Sequence, residues 1–335
     1  MNYRILGKTG LKISHMGFGG IPIQKIDAEG TKQLLHRLMA AGVNYIDTAR
    51  AYTVSEEFLG HALEGIRQHF VLATKSMSLD KASMAKDIDL SLAKLRTDYI
   101  DLYQIHNPNA AQLEQVTAPG GALEALVEAR TAGKIGHIGI TLHSAELFER
   151  CLEFDWVETI MFPYNIVETQ GEELIRRCCE KNIGFICMKP LAGGAIEDAT
   201  LALRFAAANP NVTVVIPGMA EEKEIDQNIA AVEDPAPLSS EELAKIDDLR
   251  KTLGTQFCRR CNYCAPCAVG IQIPMVLLVE GYLSRYGLSD WAAQRYATMD
   301  KKASDCIGCG LCETRCPYQL PIRQLLKNAA QKLEK

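Results

Sequence analysis

Residues 43–75 read VNYIDTARAYTVSEEFLGHALEGIRQHFVLATK. The stretch holds two short β-branched runs, Val43–Asp47 and Phe70–Lys75, and each ends on a charged residue. Further runs of the same kind lie at His15–Gly19, Asp101–His106, His137–Thr141, Thr159–Phe162, Gly184–Met188 and Val212–Ile216. Amphipathic segments such as AEGTKQLLHRLMAAG, MAKDIDLSLAKLRT and GALEALVEARTAG lie between them, with apolar positions recurring at three and four residues. Gly42 and Gly133 mark helix stops. Strands alternating with helices predict βαβ units and a parallel sheet. Eight such runs match the count of an α/β fold of the (β/α)8 TIM-barrel type. The opening YRILGKTGLKIS predicts a two-stranded hairpin, turning at Lys8–Gly10, that closes the bottom of the barrel.

Composition limits the function classes. The chain has 335 residues, 47% of them apolar, with a mean hydropathy of -0.04, which is enough apolar material for a large core. The net charge of -5 is spread among intermixed acids and bases, which argues against a nucleic-acid footprint. No apolar run approaches the roughly 18 residues that span a bilayer. The polar start MNYRILGKTGLKIS lacks a signal-peptide core. A cytoplasmic protein with reduced thiols and no membrane partner is the expectation.

The barrel pattern breaks at the proline-rich EDPAPLSS, after which Ser239 and Glu242 form a capping box for a helix through about Leu253. The expected organisation is a barrel over 1–235, a linker and helix over 236–255, and a cysteine-rich domain over 256–335. That last region carries a weak repeat, in which Cys267 and Cys316 each lead into a short apolar stretch with proline.

In such barrels catalytic residues sit at the C-terminal ends of strands. Those ends supply Asp47, Lys75 and His106, and Tyr52 follows in the loop RAYTVSEEFLG. Each alone reads as an ordinary cap, loop aromatic, strand end or core histidine; the four together suit carbonyl reduction. Tyrosine has an unperturbed pKa of about 10, and a neighbouring lysine cation lowers it toward a usable proton donor. An aspartate would hold the lysine charged, and a histidine would orient the carbonyl. The hydride must come from a nicotinamide, because no side chain supplies one. A Schiff base on Lys75 is the rival chemistry, but it leaves Asp47, Tyr52 and His106 unexplained.

Four cysteines, Cys151, Cys178, Cys179 and Cys187, are scattered and read as small buried hydrophobes. Eight others follow two patterns. Cys258, Cys261, Cys264 and Cys267 are spaced C-x2-C-x2-C-x2-C; Cys306, Cys309, Cys312 and Cys316 are spaced C-x2-C-x2-C-x3-C and followed by Pro317. Disulfides are disfavoured by compartment and spacing. Four-thiolate zinc is the alternative, although zinc sites usually place their pairs farther apart. The second run resembles the bacterial ferredoxin pattern, whose fourth cysteine ligates the other cluster. That resemblance implies two 4Fe–4S clusters, one on Cys258, Cys261, Cys264 and Cys316, the other on Cys306, Cys309, Cys312 and Cys267. The first run departs from the pattern, with two residues before Cys267 and Ala268 in place of proline.

GKTGLKIS, MGFGG, YIDTARAY with SEEFLG, ATK, DLYQIHN, GKIGHIGIT and VIPG together resemble the aldo-keto reductase superfamily over about residues 3–250. The resemblance implies a (β/α)8 barrel, NADH or NADPH as cofactor, a small-molecule carbonyl substrate, and a tetrad of Tyr52, Asp47, Lys75 and His106 with Tyr52 as general acid. It places Gly20 and Ile21 near the nicotinamide, with Thr141 at its carboxamide and Met188 where a stacking tyrosine is usual. Lys189, Pro190, Leu191 and Gly193 would approach the pyrophosphate, and Gly218, Lys223, Gln227 and Asn228 the adenosine end. Met161 stands where glutamine is frequent. Gly218 and Glu224 replace the basic pair that grips a 2′-phosphate, and a carboxylate there would suit a ribose hydroxyl. The whole chain resembles a subgroup with a small α-helical ferredoxin-like domain, for which a ferredoxin or flavoprotein is a fitting electron partner. An electron-transfer or redox-sensing protein with the barrel as a binding platform is the competing function. The loop 107–121, with Asn107, Gln112, His143 and Tyr164, is expected to line the mouth.

Overall fold

The computed structural model describes residues 1–234, 236–254 and 256–334. An antiparallel pair opens the chain, β1 (Tyr3–Ile5) and β2 (Lys12–Ser14). Its turn is a 3-10 segment over Gly7–Thr9. Gly7 has φ +55°, and a Cβ there would lie 2.2 Å from the Gly184 nitrogen, so only glycine fits. The Lys8 N–H donates to the Asn182 carbonyl at 2.7 Å, and Leu6 joins the barrel core with Ile13, Tyr45 and Leu102. The hairpin thus covers the N-terminal ends of the strands.

Among the described residues eight strands make one parallel sheet: β3 (Phe18–Gly19), β4 (Tyr45–Asp47), β5 (Val71–Ser76), β6 (Ile100–His106), β7 (Ile135–Thr141), β8 (Thr159–Pro163), β9 (Gly184–Met188) and β10 (Val214–Ile216). Each pairs with the next in chain order, and parallel bridges Met16–Val215 and Gly19–Gly218 bring the last strand back to the first. Every residue of β8 and β9 is buried, as expected for strands covered on both faces. The intervening helices bury one stripe each. In the helix Ala28–Ala40 that stripe is Thr31, Leu34, Leu35 and Leu38, and each leucine contributes about 1.5–3 kcal/mol by leaving water. Asp27 caps its first turn by accepting from the Gly30 N–H. Gly42 and Gly133 follow their helices at positive φ, where the sequence placed stops.

Three local readings change. The run 15–19 narrows to Phe18–Gly19, because the His15 N–H turns to the Asn2 carbonyl and Met16 meets Val215 only in an isolated bridge, which is no ladder. The segment after Tyr52 is a helix, Ser55–Ala62, with Ser55 Oγ donating to the Gly20 carbonyl at 2.9 Å. The loop 107–121 contains a helix, Ala110–Thr117, in which Asn109 and Gln112 bond reciprocally as a capping box. Gln112 is therefore spent on its own helix terminus. Cys151, Cys178 and Cys187 are buried, but Cys179 is exposed, since adjacent helix residues face directions about 100° apart.

The described residues divide into two compact units. The first comprises Met1–Asn165, Thr169–Pro190 and Asp198–Leu238; the second comprises Ile166–Glu168, Leu191–Glu197 and the chain from Ser239. The second is helical, with helices Ser240–Leu253, Ile273–Ser284, Ser289–Ala297 and Ile322–Leu333. Ser239 and Glu242 form the capping box read from the sequence. The unit's small core gathers Val276, Val279, Ala292, Leu326 and Ala329, with Cys264 and Cys312 among the buried members. The described residues contain no helix long and apolar enough to cross a membrane.

Candidate active site and cysteine-lined cavities

Side chains alternate across a strand, so neighbours on β5 face opposite ways. Lys75 points inward and Thr74 outward, where Thr74 Oγ1 donates to Glu56 at 2.8 Å. The Lys75 ammonium donates to Asp47 Oδ2 and, at 2.8 Å, to the Thr48 carbonyl. Both partners are deeply buried, at 2% and 3% exposure. Burial pulls the Lys75 ammonium below its usual range and pushes the Asp47 carboxyl above its own, and their contact opposes both shifts.

Tyr52 sits in the turn before the helix Ser55–Ala62, where its carbonyl accepts from the Ser55 N–H at 2.8 Å. Lys75 Nζ lies 5.0 Å from the centre of its ring. The His106 ring stands edge-on to it, with centroids 6.2 Å apart at 88°. The three strand-end residues and Tyr52 from the following loop therefore converge on one place. A phenol beside an ammonium and an imidazole is an arrangement that can protonate and orient a carbonyl oxygen.

One member of the cluster is missing from the sequence reading. Gln104 pairs in register with Lys75, is fully buried, and donates through Nε2 to Asp47 Oδ1 at 3.0 Å. Its signal was its place two residues before His106, on the same inward face of β6. Asp47 is thus held from two sides, by an ammonium and an amide.

The expected nicotinamide contacts are placed as follows. The Gly20 N–H donates to the Asp47 carbonyl at 2.8 Å, so it adjoins the tetrad, and Ile21 precedes a 3-10 turn over Pro22–Lys25. Thr141 ends β7 and Met188 ends β9, both buried; Met161 and Met188 are members of the barrel core. Lys189 and Pro190 belong to the first unit, Leu191 and Gly193 to the second. Gly218 is exposed at its bridge to Gly19, and Lys223 is 79% exposed and paired with Glu221 at 2.6 Å. Gln227 donates to Thr200 Oγ1 at 3.3 Å, whereas Asn228 is buried. Glu224 Oε2 accepts from the Ala220 and Glu221 N–H groups at 2.8 and 2.9 Å. That carboxylate oxygen is occupied by its own helix terminus, which weakens the case for a ribose contact there.

In the second unit the eight clustered cysteines fall into two groups. One cavity is lined by Cys258, Cys261, Cys264 and Cys316 with Ile273, Leu277 and Leu320. A second is lined by Cys267, Cys306, Cys309 and Cys312 with Ile273, Leu311 and Leu326. Each fourth cysteine comes from the opposite run. Among the described residues no three or more histidine, cysteine or acidic side chains gather where they could hold a single ion. Four thiols spread around an apolar cavity suit a cubane, in which each iron takes one thiolate. Burial pushes the Cys258 and Cys264 thiols up to about 12, so each stays protonated at neutral pH unless a cation compensates it. Beside the first cavity the buried Arg259 guanidinium donates to the carbonyls of Val167 and Gly254 and lies 3.8 Å over the Tyr318 ring.

Comparison with known proteins follows the same division. Residues 15–200 and 197–251 match the Aldo/keto reductase family, and residues 257–321 match a 4Fe-4S dicluster domain. The chain is 27% identical over 283 residues to the L-galactose dehydrogenase of Arabidopsis thaliana, covering 68% of this chain and 87% of that one. It is 33% identical over 226 residues to the aldo-keto reductase YhdN of Bacillus subtilis, covering 60% and 66%. The holo form of the aldo-keto reductase AKR11C1 from Bacillus halodurans superposes with a TM-score of 0.65 at 27% identity, over 74% of this chain and 96% of that one. With its barrel, its family match and the oxidoreductases among its relatives, the chain belongs to the aldo/keto reductase family, as an oxidoreductase carrying a C-terminal iron–sulfur domain.

Proposed function

We propose that the barrel reduces the carbonyl group of a small molecule with NADH or NADPH, using Tyr52 as the general acid. The observation that carries this reading is the position of Tyr52 between Lys75 and His106. A bound nicotinamide would supply the hydride, which goes to the carbonyl carbon. Tyr52 gives its phenolic proton to the carbonyl oxygen, so the product is an alcohol. His106 orients that oxygen toward the phenol. Lys75 favours the phenolate left behind, and Asp47 with Gln104 keeps the ammonium aimed.

In the second unit we assign one 4Fe–4S cluster to Cys258, Cys261, Cys264 and Cys316, and another to Cys267, Cys306, Cys309 and Cys312. The two cavities, each lined by four thiols, support this pairing. Bound there, such clusters would carry single electrons to or from a ferredoxin or flavoprotein. Cys309 is exposed, and Ile307 and Leu311 beside it expose apolar side chains, which suits a transient partner near the second cluster.

A second reading makes the barrel a binding platform for an electron-transfer or redox-sensing protein. It draws support from Met161 and Met188, which pack in the barrel core where polar or aromatic nicotinamide contacts were expected. Equilibrium titration of the anaerobic holoprotein with NADH and NADPH, followed by turnover of aldehydes and its loss in Tyr52→Phe, decides between them. Tight binding with Tyr52-dependent turnover supports the reductase; absence of binding supports the platform.

A further inference from the structure

Beyond the tetrad, a second polar constellation crosses the mouth of the barrel from β6 through β7 to β9. Asn107 directly follows the tetrad's His106, and its N–H donates to the Thr141 carbonyl and to Thr141 Oγ1, each at 3.0 Å. Its Oδ1 lies 2.9 Å from His143 Nδ1, and His143 Nε2 lies 3.2 Å from Lys189 Nζ. With the Nδ1 proton assigned to the Asn107 bond, Nε2 is the acceptor that holds the ammonium. The fully buried Asn165 fixes the other end, donating to the Lys189 carbonyl at 2.9 Å.

Two features set this group apart from ordinary packing. Asn107 and Lys189 both adopt the left-handed backbone region, at φ +53° and +56°. A lysine there is strained, and hydrogen bonds on either side hold it in place. The ammonium is also half-buried, and the ion pairs among the described residues give Lys189 no carboxylate. Its partner is a ring nitrogen in the accepting role, which orients the cation and leaves its charge in place. Hydrogen bonding to His143 uses one of its three N–H donors and leaves the others for a ligand.

We propose that Lys189, aimed by His143 and Asn107, is an anion-recognition site that selects carbonyl substrates bearing a carboxylate. The inference rests on the carbonyl-reductase reading and names its substrate class. The commitment to the substrate, over the cofactor pyrophosphate expected from resemblance, follows from the chain of contacts. Lys189 is tied through His143 and Asn107 to the backbone step after His106, the residue that orients the carbonyl.

The test compares 4-carboxybenzaldehyde with its methyl ester, which differ in charge at one end only. Lys189→Asn is the informative variant, because asparagine tolerates the left-handed backbone and removes the cation. The holoprotein should prefer the carboxylate by about 10–100-fold in kcat/KM, on the scale of a partly desolvated charge-assisted bond of about 1.5–3 kcal/mol. Lys189→Asn should abolish that ratio, and Lys189→Arg should restore part of it. An unchanged ratio in Lys189→Asn, or a weakened NAD(P)H dissociation constant with the ratio intact, overturns the proposal and gives Lys189 to the cofactor. Calorimetry of 4-carboxybenzaldehyde binding to the holoprotein separates the two levels. Lys189-dependent binding without turnover would retain the anion site and reject the reductase reading; turnover of both aldehydes at equal efficiency would do the reverse.

Discussion

The two units of this chain relate fold to chemistry in opposite ways. In the barrel, β3–β10 and their helices bury a large apolar core, and the polar tetrad is mounted on a frame that exists for other reasons. In the C-terminal unit the core is small, and cysteines themselves belong to it: Cys264 and Cys312 are buried among Val276, Ala292 and Leu326. A frame with a large apolar core of its own can hold a desolvated lysine–aspartate pair. A frame whose core includes thiols gains stability from any metal cluster those thiols hold. The difference teaches which substitutions should act on rate and which on folding.

The largest effect expected is on rate in the barrel. Tyr52→Phe should lower kcat/KM for aldehyde reduction by about 10²–10⁴-fold, the usual worth of a positioned general acid. Its iron content and melting transition should match those of the parent, as measured by colorimetric iron assay and circular dichroism. A variant that loses iron together with activity would break the contrast between the units.

Next comes a test of the crossed cysteine pairing in the other unit. Cys316→Ala should lower iron from about eight to about four per chain while Cys258→Ala does the same, and the double variant should lose no more than either. Cys316→Ala combined with Cys306→Ala should lose nearly all of it. Anaerobic iron and sulfide analysis with electron paramagnetic resonance reads this directly; additive loss for the Cys258 and Cys316 pair would falsify the crossover. Chelating the metal should also melt the C-terminal helices at a lower temperature than the barrel, because the thiols raised by burial lose their compensating cation.

A smaller effect is expected at Gln104. Replacing it with leucine removes the amide that holds Asp47 and should reduce kcat about tenfold, equivalent to about 1.4 kcal/mol. The cofactor dissociation constant should not move, since the residue lies beneath the reacting groups. Equal loss in binding and turnover would show that Gln104 supports the barrel as a whole. The smallest effect concerns Glu224. Its alanine variant should destabilise the barrel by about 0.5–1 kcal/mol through the lost helix terminus, while the ratio of NADH to NADPH use stays within about twofold. A large shift in that ratio would return Glu224 to the cofactor.

Much of this was legible before any coordinates. The strand β9 was read to the residue, Gly184–Met188, because a β-branched and aromatic run bounded by glycine and the Lys189–Pro190 step leaves little latitude. Asp47, Lys75 and His106 were legible because strand ends in a parallel barrel share one rim. The 3-10 and helical geometry around the mouth was not. Residues 55–62 and 110–117 form helices whose first turns are fixed by Ser55 to Gly20 and by the Asn109–Gln112 pair, local choices that a loop-like composition concealed.

The sequence by itself determined the alternation that makes a barrel, the rim on which an acid, a lysine and a histidine must fall, and the spacing that marks the C-terminal cysteines for iron. Periodicity and spacing are properties of one dimension, and they survive without knowledge of neighbours. Only the tertiary structure decided which groups meet across strands: Gln104 beneath Asp47, and His143 between Asn107 and Lys189. Those meetings depend on register and on the return of distant segments, which no local pattern encodes.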